Sequence, residues 1–177
     1  MKLLFSFFLF LTLGFFLSAS PVWKASFEQR NFVERGNASD KTKSYFKGEF
    51  PFDWHEDFTH WTKGRATSQI LEENGSKFVR ICVEKNPVQF SFRKISGCVD
   101  GKFYLFRVSM RCSIPGGWRA FLRLGAPPYS ALTPQVLFPV TQREWVEIAV
   151  PVRFSWKTNV GYNMIFYTGG TGVIDIR

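Results

Sequence analysis

The stretch FYLFRVSMRC, Phe103 to Cys112, alternates along its whole length. Tyr104, Phe106, Val108, Met110 and Cys112 fall on one side of an extended chain, with Leu105, Arg107, Ser109 and Arg111 on the other. Successive side chains of a strand point to opposite faces, so the stretch predicts a strand with one core face and one polar face. Its neighbours repeat the pattern. In VQFSFRKI (88–95), Val88, Phe90 and Phe92 oppose Gln89, Ser91 and Arg93. In WRAFLRLG (118–125), Ala120, Leu122 and Leu124 oppose Arg119, Phe121 and Arg123.

Further runs with strand character occupy 66–73, 77–84, 135–141, 145–154, 162–168 and 172–177, divided by turn residues. Asn74-Gly75 and Asp100-Gly101 are strong hairpin or turn signals. No segment keeps a helical period over the window a helix needs. Many short strands with turn signals at near-regular intervals predict an all-β fold, a two-sheet antiparallel β-sandwich. Residues 21–63 show no sustained period. They predict an N-terminal strand and the exposed loop NASDKTKS (Asn37 to Ser44) over residues 21–47. GEFPFDWHEDFTHW (Gly48 to Trp61) reads as an ordered loop pinned by Trp54, Phe58 and Trp61, opening a sandwich domain over 48–177.

The N-terminus sets the compartment. Lys2 supplies a positive charge, Leu3 to Leu17 is almost entirely apolar, and Ser18, Ala19 and Ser20 are small. Together they predict a secretory signal peptide over 1–20, its apolar run shorter than the roughly twenty residues of a spanning helix. The protein is expected to be secreted or periplasmic, with no membrane contact beyond the signal peptide; cleavage or retention as an anchor stays open. The remainder of the chain is long enough for one domain with its own core.

The net charge is +9, but Arg30, Lys41, Lys63, Arg80, Arg93, Arg107, Arg123 and Arg153 are spread along the chain. A nucleic-acid reader concentrates such residues on one element, so no nucleic-acid partner is expected. Two readings remain: a plain basic surface, or a face that attracts acidic polysaccharide. Cys82, Cys98 and Cys112 are odd in number, allow one pair at most, and match no zinc spacing. Each lies in or beside an apolar run, as buried free thiols do.

No catalytic constellation is visible. His55-Glu56-Asp57-Phe58-Thr59-His60 resembles a zinc-protease motif, but its histidines are one residue too far apart. On a helix they would stand about 140° from one another, and no metal site is expected. Glu72 and Glu73 are adjacent and face opposite ways on a strand, while Glu144, Glu147 and Asp175 are scattered, so no carboxylate pair marks a glycosidase. There is no G-x-S-x-G nucleophile turn. GGTG, Gly169 to Gly172, lacks the phosphate-loop pattern and precedes a strand instead of a helix, so it reads as a turn. Asn37-Ala38-Ser39 and Asn74-Gly75-Ser76 fit the glycosylation pattern, which matters only in a eukaryotic secretory pathway.

The polar strand faces carry arginine and glutamine beside occasional aromatic residues. Planar guanidinium and amide groups can form paired hydrogen bonds to vicinal hydroxyls, and aromatic rings can stack on sugar rings. Such a face is either solvated surface or a sugar platform. FPFDWHEDFTHW, GSKFVRICVE, VQFSFRKI, DGKFYLFRVSMRC, TQREWVEIAVPV and GGTGVIDI, in this order and spacing, resemble the jelly-roll carbohydrate-binding modules of the family 4/9 (CenC-like) type. Those modules accompany secreted bacterial glycoside hydrolases.

The resemblance implies non-catalytic binding of polysaccharide or oligosaccharide in a cleft or on a concave sheet. It carries Gln89 and Arg111 over as polar sugar contacts, and Trp61, Trp118 and Tyr129 as stacking platforms. Trp145 and Asp175 match framework positions. No cofactor is expected; calcium is common in such sandwiches, but no acidic loop demands it here. The long charged segment before Phe50 departs from the pattern. The chain also stops at Arg177, where the pattern runs a few residues further, as the front end of a larger secreted enzyme or a shortened product would. The rival expectations are an interaction or spacer domain packed on a catalytic domain, and a small hydrolase on the same fold.

Overall fold

The computed structural model describes residues 26–52, 54–56, 63–95, 99, 101–116, 118–124, 136–138, 141, 144–153 and 162–177. Among the described residues, twelve strands form two sheets. They are β1 (Arg30–Gly36), β2 (Tyr45–Pro51), β3 (Trp54–Glu56), β4 (Arg65–Glu73), β5 (Ser76–Lys85), β6 (Val88–Ile95), β7 (Phe103–Cys112), β8 (Trp118–Leu124), β9 (Val136–Phe138), β10 (Val146–Arg153), β11 (Tyr162–Thr168) and β12 (Gly172–Ile176). One sheet has seven strands in the order β1-β2-β4-β5-β12-β7-β10, the other five in the order β3-β6-β11-β8-β9. The chain is a two-sheet β-sandwich, antiparallel except where β2 runs parallel to β4.

Alternation builds the core. Val79, Ile81 and Val83 of β5, Val108, Met110 and Cys112 of β7, and Ile174 and Ile176 of β12 all point inward from the seven-stranded sheet. The five-stranded sheet answers with Val88, Phe90, Trp118 and Phe166. Aromatic rings fill the middle. Phe46 stacks on Phe50 at 4.9 Å, Trp54 on Phe90 at 5.6 Å, and Phe166 on Phe90 at 5.1 Å. Burying one such ring contributes about 2–3 kcal/mol relative to leaving it in water.

The hairpin between β4 and β5 turns at Asn74 and Gly75, both at positive φ (52° and 73°), as a two-residue turn matched to strand twist requires. The Gly169–Thr171 segment crosses from β11 in one sheet to β12 in the other, so GGTG is a corner between sheets and a strand follows it.

The N-terminal region differs from the expectation. Residues 45–51 form a paired strand, so the expected boundary at 47/48 falls inside β2, and β1 and β2 belong to the same sheet as the later strands. The stretch read as an aromatic-pinned loop instead supplies the end of β2 and all of β3, and Trp54 is fully buried; Phe58 lies outside the described residues. Gly48 makes the parallel pairing possible. A Cβ there would come within 2.0 Å of the Ser68 carbonyl oxygen, and its φ of 153° is one that other residues rarely adopt. The loop 37–44 is largely exposed, as expected. Its carbonyls at Asn37, Ala38, Asp40 and Lys43 accept hydrogen bonds from the buried Arg65 guanidinium at 3.0–3.3 Å.

Cys82 and Cys112 are both free thiols. They pair with Val173 and Ile174, successive residues of β12, and therefore face opposite sides of the sheet. Burial pushes the Cys112 thiol above its ordinary pKa, which keeps it protonated. Cys98 lies outside the described residues.

Candidate functional site

Each sheet has an outward face, and the two differ in chemistry. On the seven-stranded sheet Arg80 lies between core residues Val79 and Ile81, Arg111 between Met110 and Cys112, and Asp175 between Ile174 and Ile176. All three therefore point outward, and the register sets Asp175 opposite both arginines. Arg80 donates from Nε and Nη2 to the two Asp175 oxygens, each at 2.8 Å. Arg111 Nε donates to Asp175 Oδ2 at 2.6 Å, and its Nη1 donates to Glu73 at 3.0 and 3.2 Å. Trp145 Nε1 donates to Glu73 at 2.9 Å.

The Trp145 ring has the guanidinium carbons of Arg111 and Arg177 at 4.6 and 4.2 Å from its centre, and Phe78 meets it edge-on at 5.4 Å. The Asp175 side chain is left 3% exposed and that of Arg111 15%. Hydrogen bonds from Trp145 and Arg111 hold the Glu73 carboxyl below its ordinary pKa. Burial acts to lower the Arg111 pKa, but hydrogen bonds to Asp175 and Glu73 outweigh it and raise it. Arg80, Arg111 and Trp145 each already donate to a carboxylate inside the cluster, as a structural network requires.

The five-stranded face carries a different row. Gln89 lies between core residues Val88 and Phe90, Tyr167 follows Phe166, and Arg119 follows Trp118. Tyr167 pairs with Gln89 on one side and with Arg119 on the other, and Arg119 pairs with Leu137 of β9. Gln89 and Tyr167 are half-buried and Arg119 is exposed, while Leu137 is 59% exposed. In the next row Ile165 pairs with Ser91. Both are fully buried although they face away from the core, so the centre of this face is covered.

The expected sugar contacts are thus redistributed. Trp118 is no stacking platform: it is fully buried, packs 4.8 Å from the Phe166 ring centre, and its Nε1 donates to Met110 Sδ at 3.1 Å. Arg111 is tied into the ion network. Gln89 and Arg111 occupy opposite sides of the sandwich and cannot meet one sugar or each other. Trp61 and Tyr129 lie outside the described residues. Tyr167 and Arg119 were not singled out in the sequence, although the alternation around Phe166 and Trp118 places both on the polar face. Among the described residues no three His, Cys, Asp or Glu side chains come together as a metal site needs. His55 stands on a strand and His60 lies outside the described residues.

No protein-family model matches the sequence, and no curated protein sequence matches it. Solved structures do share its fold. The chain superposes on the CBM22-1–GH10 modules of Clostridium thermocellum xylanase 10B, solved with xylohexaose, with a TM-score of 0.50 and 16% identity. That match covers 70% of this chain and 25% of the other. A second is the enzymatically active domain of bacteriophage CBA120 tailspike protein 4, with a TM-score of 0.52, 14% identity, and coverage of 71% and 18%. A family 4 carbohydrate-binding module matches over 60% of this chain and 81% of its own length, at 14% identity and a TM-score of 0.45. The β-sandwich expected from the strand pattern is the fold this chain shares with parts of the xylanase 10B and tailspike structures.

Proposed function

We propose that this chain binds carbohydrate non-covalently, through the outward face of the five-stranded sheet. The observation that carries the reading is the cross-strand row Gln89–Tyr167–Arg119. An amide, a phenol and a guanidinium in one line offer donors and acceptors to sugar hydroxyls, and the Tyr167 ring offers an apolar surface. Within carbohydrate-binding modules, the order of sequence elements favours the family 4/9 type and, through that resemblance, a place beside a glycoside hydrolase; the apolar leader favours action outside the cytoplasm. N-terminal sequencing of the protein from culture medium or periplasm checks export.

Affinity electrophoresis against soluble glucans, xylans, mannans and acidic polysaccharides tests the binding. Retardation by one polymer is expected, lost in Tyr167→Ala and Gln89→Ala but kept in Arg107→Gln on the far sheet. Absence of retardation from a folded protein would end this reading. A second reading then takes its place, a domain that packs on a catalytic partner. It draws on Phe103 and Leu105, 73% and 50% exposed on β7 beside the exposed Ala149 and Pro151 of β10.

A further inference from the structure

The outermost strand of a sheet offers its outer backbone groups to other chains unless something blunts the edge. Among the described strands, β1 and β10 bound the seven-stranded sheet, and β3 and β9 bound the five-stranded one. β3 and β9 are three residues each, and β10 contains Pro151, features that discourage pairing. β1 has neither. It runs for seven residues, RNFVERG, without proline, and its Phe32 is 61% exposed.

The hydrogen bonds flanking the β1–β2 ladder fix which way the β1 backbone points. Phe52 N donates to Gln29 O at 3.0 Å, Asn37 N donates to Ser44 O at 3.3 Å, and the register between them is unbroken. The odd-numbered residues therefore turn their N–H and C=O toward β2. Tyr45, opposite the even-numbered Gly36, sends its N–H to Gly64 instead. Because this orientation alternates along an antiparallel pair, Arg30, Phe32 and Glu34 turn their backbone groups toward the outer edge. Their side chains share one face, opposite to Val33, which packs against the core. On that face Arg30 meets Glu49 and Glu34 meets Lys47, both as exposed pairs.

The edge is complementary to its own reverse. With β1 antiparallel to β1 of a second copy and Phe32 facing Phe32, Arg30 falls opposite Glu34 and Glu34 opposite Arg30. These are the residues whose backbone groups point outward, so one register satisfies both the ladder and the charges. Centring the pair on Asn31 or Val33 sets a charge against Phe32, and centring it on Arg30 or Glu34 sets like charges together, which is unfavourable.

We infer that β1 is a homodimer edge, where two copies pair antiparallel about Phe32 and join their seven-stranded sheets. A two-fold contact of this kind is closed and stops at two copies. It uses the sheet that the carbohydrate-binding reading leaves aside, and stands independently of that reading.

Sedimentation velocity of the full chain over a concentration series tests it, with a shift from monomer to dimer expected as concentration rises. Phe32→Pro removes an outward N–H and spares the β1–β2 bonds, which come from odd-numbered residues. It should weaken dimerisation about tenfold with little change in melting temperature. Glu34→Arg sets arginine against Arg30 of the second copy and should also weaken it about tenfold. Adding Arg30→Glu makes the charges opposite again and should restore the dimer; the exposed pairs within each copy that these changes remove contribute little. A monomer at every concentration would overturn the inference. A dimer insensitive to Phe32→Pro, or weakened equally by Glu34→Arg and by the reversed pair, would place the contact elsewhere and overturn it too.

Discussion

On the outward face of the seven-stranded sheet, arginines and carboxylates meet each other; on the face of the five-stranded sheet, strands β6, β8, β9 and β11 have no carboxylates to meet. The first arrangement satisfies itself. Asp175 receives both Arg80 and Arg111, and Glu73 receives Arg111 and Trp145. The second presents an amide, a phenol and a guanidinium in one line. A polar strand face is therefore no guide to binding by itself. What separates the two faces is that β5, β12 and β7 set opposite charges in register, whereas the row across β6, β11 and β8 sets an amide, a phenol and a guanidinium side by side.

That contrast can be broken most sharply at Trp118. Trp118→Ala is expected to cost about 3–5 kcal/mol in urea unfolding, because it empties a fully buried aromatic site. Affinity per folded molecule should hold steady, and selective loss of affinity with stability intact would return Trp118 to a binding role. Next in size, Asp175→Asn removes the charged acceptor of Arg80 and one of the two that Arg111 uses, leaving Arg111 with Glu73. It should cost about 3 kcal/mol, near the low end for a broken buried pair because Arg80 reaches solvent. A loss within error would show that the network contributes little to stability.

Tyr167→Ala is expected to invert this behaviour. Polysaccharide affinity measured by calorimetry should fall about tenfold, in line with losing about 1.4 kcal/mol of stacking and hydrogen bonding. The melting temperature should move by only a few degrees. A variant that melts much earlier with its affinity intact would make Tyr167 a structural residue.

The smallest effect concerns acid. The folded Glu73 carboxyl lies below its ordinary value of 4.5, so its contribution to stability is present above that pH. It fades as pH falls through the lowered folded value. Thermal melts of wild type and Glu73→Gln should therefore differ near neutral pH and converge in acid. Curves that stay parallel would remove Glu73 from the network's energetics.

The strands most legible in the sequence were those that alternate strictly between apolar and polar residues. FYLFRVSMRC and VQFSFRKI became β7 and β6 over the expected residues, since strict alternation leaves no other regular structure with one apolar face. β2 was less legible because Gly48 and Pro51 interrupt its pattern and its partner β4 runs parallel to it. Trp118 misled for a local reason. The resemblance made it a stacking platform, yet it shares parity with Ala120 and Leu122, the residues read as the core side of the same run. Gln89 and Arg111 failed as a pair for a non-local reason. Both lie on polar faces, but the assignment of β6 and β7 to different sheets depends on pairings between distant strands that neither local sequence contains.

The corner at Gly169–Thr171 also bears on the order in which the sandwich can be assembled. β12 follows all the other described strands in sequence yet lies inside the seven-stranded sheet, between β5 and β7. A nascent chain that has reached only Thr168 has two strand edges waiting for the same insert, and exposed edges recruit other chains. Residues 172–176 act as a keystone: their arrival joins β5 to β7 and delivers Asp175 between Arg80 and Arg111. Completion of the seven-stranded sheet is thus deferred until these residues have followed the other described strands out of the ribosome.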